Sequence, residues 1–145
     1  MEENFLWNRI SRNLGLVEYL RITSICDLGF RPFFHSWPPK INITTSDWFT
    51  LEYLLACTST TITLVQSHLE NKDFDVILRN WMIGGLPNLK YLEIISMSFT
   101  DNGKHILGMN LRELAGKVIQ TNDGSKKATI RIISRSIKIS VTPFE

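Results

Sequence analysis

The chain has 145 residues, 43% of them hydrophobic, with 16 Lys and Arg against 14 Asp and Glu. That is enough apolar material for one buried core and predicts a single domain, while a net charge of +2 gives no general attraction to nucleic acid or to an anionic membrane. No apolar run reaches the roughly 18 to 20 residues that span a bilayer, and the acidic start Met1-Glu2-Glu3 lacks the basic region of a secretory leader.

An intracellular protein, in cytoplasm or nucleus, is therefore expected, with Cys26 and Cys57 as isolated buried thiols rather than a disulfide framework. From the N-terminus, Phe5, Leu6, Ile10, Leu14 and Val17 recur at helical spacing, which predicts one amphipathic helix over Phe5–Leu20. Arg31–Pro39 is rich in aromatics and proline and reads as an ordered loop. Residues 1–40 thus form an N-terminal helix and loop cap.

A template then recurs three times: apolar, any, apolar, two of any, a turn residue, any, apolar. It starts at Ile41, Ile62 and Leu92, with turn positions at Ser46, Ser67 and Met97. The starts are 21 and 30 residues apart, at or near the period of leucine-rich-repeat units, in which a short strand lines one face and a helix returns the chain. Residues 41–110 are read as this repeat-like region, with Ile41–Ile43, Ile62–Leu64 and Leu92–Ile94 as neighbouring parallel strands.

Each copy leads toward a helix. After a Ser46 or Asp47 cap, Trp48, Leu51, Leu54 and Leu55 fall on one helical face. After Asn71, the residues Phe74, Ile77, Leu78, Trp81 and Met82 form a sharper stripe, with Asp73 and Asp75 near the positive end of the dipole and Gly84-Gly85 and Pro87 to stop it. A third helix is placed within Asn102–Met109. The β-branched runs Lys117–Thr121 and Ala128–Val141 flank the turn Asn122-Asp123-Gly124 and predict an antiparallel hairpin cap over residues 111–145.

Chemistry-bearing constellations are sparse. Ser67 and His68 are adjacent, and neighbours on a strand point to opposite faces, so they do not make a nucleophile and its base. His35, His68 and His105 lie too far apart in sequence for a local metal motif. No catalytic residue, metal or cofactor is expected. Trp48 and Trp81 read as core anchors. Lys126, Lys127, Arg131, Arg135 and Lys138 could meet an acidic partner or nucleic acid, with Arg131 and Arg135 on one strand face, but no aromatic residue is interleaved to stack a base, and charges on an edge hairpin discourage edge-to-edge pairing. Asn42-Ile43-Thr44 fits a glycosylation sequon and is read as strand.

Three ordered stretches resemble the type 2 F-box-associated domain, a large nematode family. They are Ser46-Asp-Trp48-Phe-Thr50-Leu51-Glu-Tyr-Leu54-Leu55, then Asn71-Lys-Asp-Phe74-Asp75-Val-Ile-Leu78-Arg79-Asn-Trp81, then Gly84-Gly85-Leu-Pro87-Asn-Leu89-Lys-Tyr91-Leu92-Glu93-Ile94. A weaker fourth is Asp123-Gly124-Ser125-Lys126-Lys127-Ala128-Thr129-Ile130, with one inserted lysine. The family motif and core positions are Trp48, Leu51, Leu55, Phe74, Leu78, Trp81, Gly85, Pro87, Leu92 and Ile94. The chain departs from the family at Glu70 and Asp75, where Ser or Thr and Asn are usual. Met1–Lys40 has no Leu-Pro dipeptide, so no F-box is read there.

The resemblance implies a protein-interaction module that recruits a substrate to a cullin-type ubiquitin ligase, joining the adaptor only if an F-box is supplied elsewhere. The expected fold is α/β, a degenerate leucine-rich-repeat-like stack of parallel strands and helices closed by a C-terminal antiparallel β-hairpin. By strand alternation, the outward residues that would meet a protein partner are Asn42, Thr44, Thr61, Thr63, Val65, Tyr91, Glu93 and Ile95.

Overall fold

The computed structural model of the chain describes residues 17–23, 34 and 36–143. Its elements run β1 (Tyr19–Ile22), β2 (Lys40–Ile43), α1 (Leu51–Ala56), β3 (Thr61–Ser67), α2 (Asn71–Met82), β4 (Tyr91–Ser96), α3 (Leu111–Leu114), β5 (Val118–Gln120), β6 (Lys126–Ile133) and β7 (Ser136–Pro143). All seven strands join one sheet in the order β1-β2-β3-β4-β7-β6-β5. The protein is therefore mixed α/β.

The first four strands are parallel, and the recurring apolar pairs set their register. Leu20, Ile41, Ile62 and Leu92 align in one row, and Ile22, Ile43, Leu64 and Ile94 in another. Parallel strands cannot be joined by a tight turn, and α1 and α2 lie in the connections that β2–β3 and β3–β4 require. The three strands read from the template are thus parallel neighbours, as expected. Ile41, Ile43, Ile62, Leu64, Leu92 and Ile94 are all at most 1% exposed and share one core with Leu54, Phe74, Ile77, Leu78 and Trp81. Each such side chain contributes about 1.5–3 kcal/mol by leaving water.

Buried serines end the repeated strands. Ser46 donates to the Val65 carbonyl at 2.7 Å. Ser67 accepts the Leu69 N–H at 3.1 Å, and Ser96 donates to the Leu69 carbonyl at 2.7 Å while accepting the Ser98 N–H. The third turn residue is therefore Ser96, not Met97, which is 72% exposed. The one-residue difference is absorbed in β3, where the register shifts between Leu64 and Ser67 and Gln66 takes φ +55°.

Helix α2 follows its stripe: Phe74, Ile77, Leu78 and Trp81 are buried. The Asp73 carboxylate accepts the Glu70 N–H at 2.8 Å, so the Glu70 departure leaves the helix start with a working partner. Asp75 is likewise occupied, accepting from the Leu107 N–H at 2.7 Å and from Arg79 Nε at 3.0 Å. Gly84, at φ +104°, ends the helix in a conformation that strains a side chain.

Other expectations are corrected. Tyr19 and Leu20, placed at the end of an N-terminal helix, belong to strand β1, because Leu20 and Ile22 extend the apolar rows of β2. The remainder of that helix, through Leu14, lies outside the described residues, as does Cys26. The helix expected from Ser46 starts only at Leu51, since the Ser46 hydroxyl is held by Val65 and Asp47 and Trp48 form a turn before it, closed by the Phe49 N–H on the Ser46 carbonyl. Those two aromatics are buried and meet Phe34, Trp37 and Tyr53, with Phe34 stacked on Trp37 at 3.8 Å. In the motif set, Leu51, Leu55 and Gly85 are half-buried and Pro87 is exposed, while Trp48, Phe74, Leu78, Trp81, Leu92 and Ile94 are buried.

No helix forms over Asn102–Met109; Gly103, Leu107 and Gly108 have positive φ and an isolated bridge links Ile106 to Met109. The helix comes later as α3, whose Asn110 side chain accepts the Glu113 N–H at 2.9 Å. In the C-terminal part β5 and β6 pair antiparallel, β6 pairs antiparallel with β7, and β7 lies antiparallel to β4. The hairpin read around Asn122-Asp123-Gly124 thus forms as β5–β6, with β5 at the sheet edge, and the run read as one strand over Ala128–Val141 divides into β6 and β7, which makes the closing element three-stranded.

Candidate protein-docking face

Alternation divides the sheet into a face buried against the helices and a face that keeps solvent contact. All eight outward residues read from the sequence, Asn42, Thr44, Thr61, Thr63, Val65, Tyr91, Glu93 and Ile95, are half-buried. Strand pairing aligns five of them, Asn42, Thr61, Thr63, Tyr91 and Glu93, on the second face, while Thr44 lies just past β2, Val65 in the irregular part of β3, and Ile95 opposite Ser136. One row runs Tyr19, Lys40, Thr61, Tyr91, Ser140, Thr129 and Val118. The next runs Arg21, Asn42, Thr63, Glu93, Lys138 and Arg131. A third brings Ile95, Ser136 and Ile133 into line.

The alternation missed the outer members of these rows. Tyr19 and Arg21 come from β1, Lys40 from the first position of β2, and Ser136, Lys138, Arg131 and Ile133 from the antiparallel half. Leu20 stands 21 residues before Ile41, the same interval as from Ile41 to Ile62. That spacing was the available signal for β1.

Electrostatics on this face centre on β4. Lys138 Nζ lies 3.3 Å from the Glu93 carboxylate, which also accepts from Ser136. Burial, then the neighbouring Glu93 charge, holds the Tyr91 phenol above its ordinary value, with Lys138 acting in the opposite sense. The Asn42 side chain of the sequon lies half-buried between β1 and β3.

The basic cluster read from the C-terminal sequence is divided. Lys126 donates to the Pro87 carbonyl at 2.6 Å, and Arg135 donates to the Met97 carbonyl from the β6–β7 turn. Arg131 and Arg135 therefore do not share a strand face. Lys126 instead ties two of the motif stretches together, since Asn122 N–H also donates to the Met82 carbonyl at 2.8 Å. Within that turn, the Ser125 N–H and the Thr121 and Ser125 hydroxyls hold the Asp123 carboxyl down to about 2.

The Ser67 side chain is buried and its neighbour His68 is exposed. Cys57 is a buried free thiol whose pKa is raised by burial. Among the described residues, no group of three His, Cys, Asp or Glu side chains is placed to hold a metal ion, and no helix is long and apolar enough to cross a membrane.

No curated protein and no solved structure matches the chain. Residues 30–94, which hold β2, α1, β3, α2 and β4 as far as Ile94, match the family model described as F-box associated, so this segment of the chain is similar to that family.

Proposed function

We propose that the protein is a non-enzymatic binding module that presents the open face of its sheet to a protein substrate, as the substrate-binding half of a cullin-type ubiquitin ligase component. The observation that carries this reading is the division of the sheet. The inward Ile and Leu rows hold the fold, so the residues opposite them can be chosen for contact without disturbing the core. The parallel half supports kinship with degenerate leucine-rich repeats, because strand and helix alternate from β2 to β4. Attachment to the ligase adaptor requires an F-box supplied elsewhere, and without it the module holds substrate and does not deliver it.

Thr63 lies in the middle of the open face, so Thr63→Arg places a long charged side chain where a partner would seat while leaving the core rows intact. Affinity capture from nematode lysate, with captured proteins quantified, should lose its specific partners with Thr63→Arg and keep them with Lys72→Glu on the helix side. Retention of every partner by Thr63→Arg overturns the assignment of the face.

A further inference from the structure

We propose that the open face takes an acidic, extended peptide segment of its partner, laid across the strands, with carboxylates gathered at both ends and a neutral middle. The inference rests on the docking reading above and specifies its occupant. Around the helices, cations are matched by carboxylates: Lys72 with Glu70, Arg79 with Asp75, Lys104 with Glu113 and Arg112 with Asp101, at 3.6, 3.0, 3.5 and 2.6 Å. On the open face Lys138 has such a match in Glu93.

Arg21 and Lys40 at one margin and Arg131 at the other have no ion-pair partner among the described residues. Between them lie the uncharged Asn42 and Thr63 and the Glu93–Lys138 pair, which neutralises itself. Among the described residues the face is therefore positive at its two sides and neutral in its centre.

Five strand spacings separate β1 from β6, roughly 24 Å at about 4.8 Å each, and an extended chain rising about 3.3 Å per residue crosses that width in seven or eight residues. A guanidinium at either end offers a planar fork suited to a carboxylate. Side chains from the middle of the segment would meet Tyr91 on one flank and Ile95 and Ile133 on the other. Nucleic acid fits less well. Glu93 puts a carboxylate under the centre of the path, and Tyr19 and Tyr91 are three strands apart, roughly 14 Å, too far to stack successive bases.

The test is fluorescence polarisation of the full chain with labelled synthetic peptides about nine residues long. One carries Asp-Glu at each end around a Ser-Thr-Ile-Ser-Thr middle, and a second has the same composition with its four acids central. Single-stranded DNA of similar length is the third probe. The end-charged peptide should bind best, and Arg21→Glu or Arg131→Glu should each weaken it about three- to tenfold while Lys72→Glu does not, with melting curves confirming that all three variants fold. Equal binding of the two peptides, no binding of either, indifference to both reversals, or tighter binding of the DNA each overturns the proposal. If Thr63→Arg abolishes protein capture while the two reversals leave it unchanged, the face docks a protein and only the acidic occupant is wrong.

Discussion

Trp81 closes the apolar stripe of α2 at 3% exposure and sits in the same core as the β2, β3 and β4 rows. It is the largest side chain on that stripe, so its removal leaves a hole that α2 and the sheet cannot jointly close. Trp81→Ala should cost about 3–5 kcal/mol, the range for large aromatic truncations in a core. Arg131→Ala, on the exposed face, should change stability by less than about 0.5 kcal/mol. Urea midpoints of the two variants check both values, and equal midpoints would remove Trp81 from the core. The role of Trp81 was legible from i, i+3, i+4, i+7 spacing alone. That of Ser96 was not, because Met97 sits at the turn position when the three copies are aligned without a gap, and the bulge at Gln66 leaves no mark in residue type.

At the scale of elements, two-residue alternation repeated over several strands was readable, and isolated short pairs were not. Leu20-Arg21-Ile22 is a single apolar alternation, and Val17 and Leu20 also satisfy a helical spacing, so the local pattern could not separate strand from helix. The charged margin of the open face at Arg21 was lost with that strand. The β6–β7 turn was missed for another reason. Ser134 and Arg135 connect Ile133 to Ser136 without the Gly or Asn that normally marks a tight hairpin, and Ser134 sits at φ +56°. A serine in the left-handed region carries a steric cost that glycine does not. Ser134→Gly should therefore stabilise the chain by about 0.5–1 kcal/mol, the relief from the clash exceeding the added entropy of the unfolded glycine. An upward shift of the thermal midpoint checks this, and a downward one would mean that the turn tolerates Ser134 without strain.

For the whole molecule, the family match and the folding unit have different extents. The match stops at residue 94, in β4, yet β4 is the strand on which the two halves of the sheet meet. On one side it pairs with β3, and on the other five consecutive residues, Tyr91–Ile95, pair with β7. The core does not divide there either, since Leu114, Ala128, Ile130, Ile137 and Ile139 belong to the same buried cluster as Leu92 and Ile94. A chain ending at residue 110 would expose the backbone groups of β4 along that edge and open the inward face of Leu92 and Ile94 to water. An unpaired, apolar strand edge invites association with other chains. The fragment 1–110 should therefore lack protease resistance and self-associate, whereas the full chain should unfold in one cooperative transition seen alike by far-UV and near-UV circular dichroism. A monomeric, protease-resistant 1–110 with native near-UV signal would show that the parallel half is sufficient, and the antiparallel strands would then be an addition to the open face rather than part of what holds it in shape.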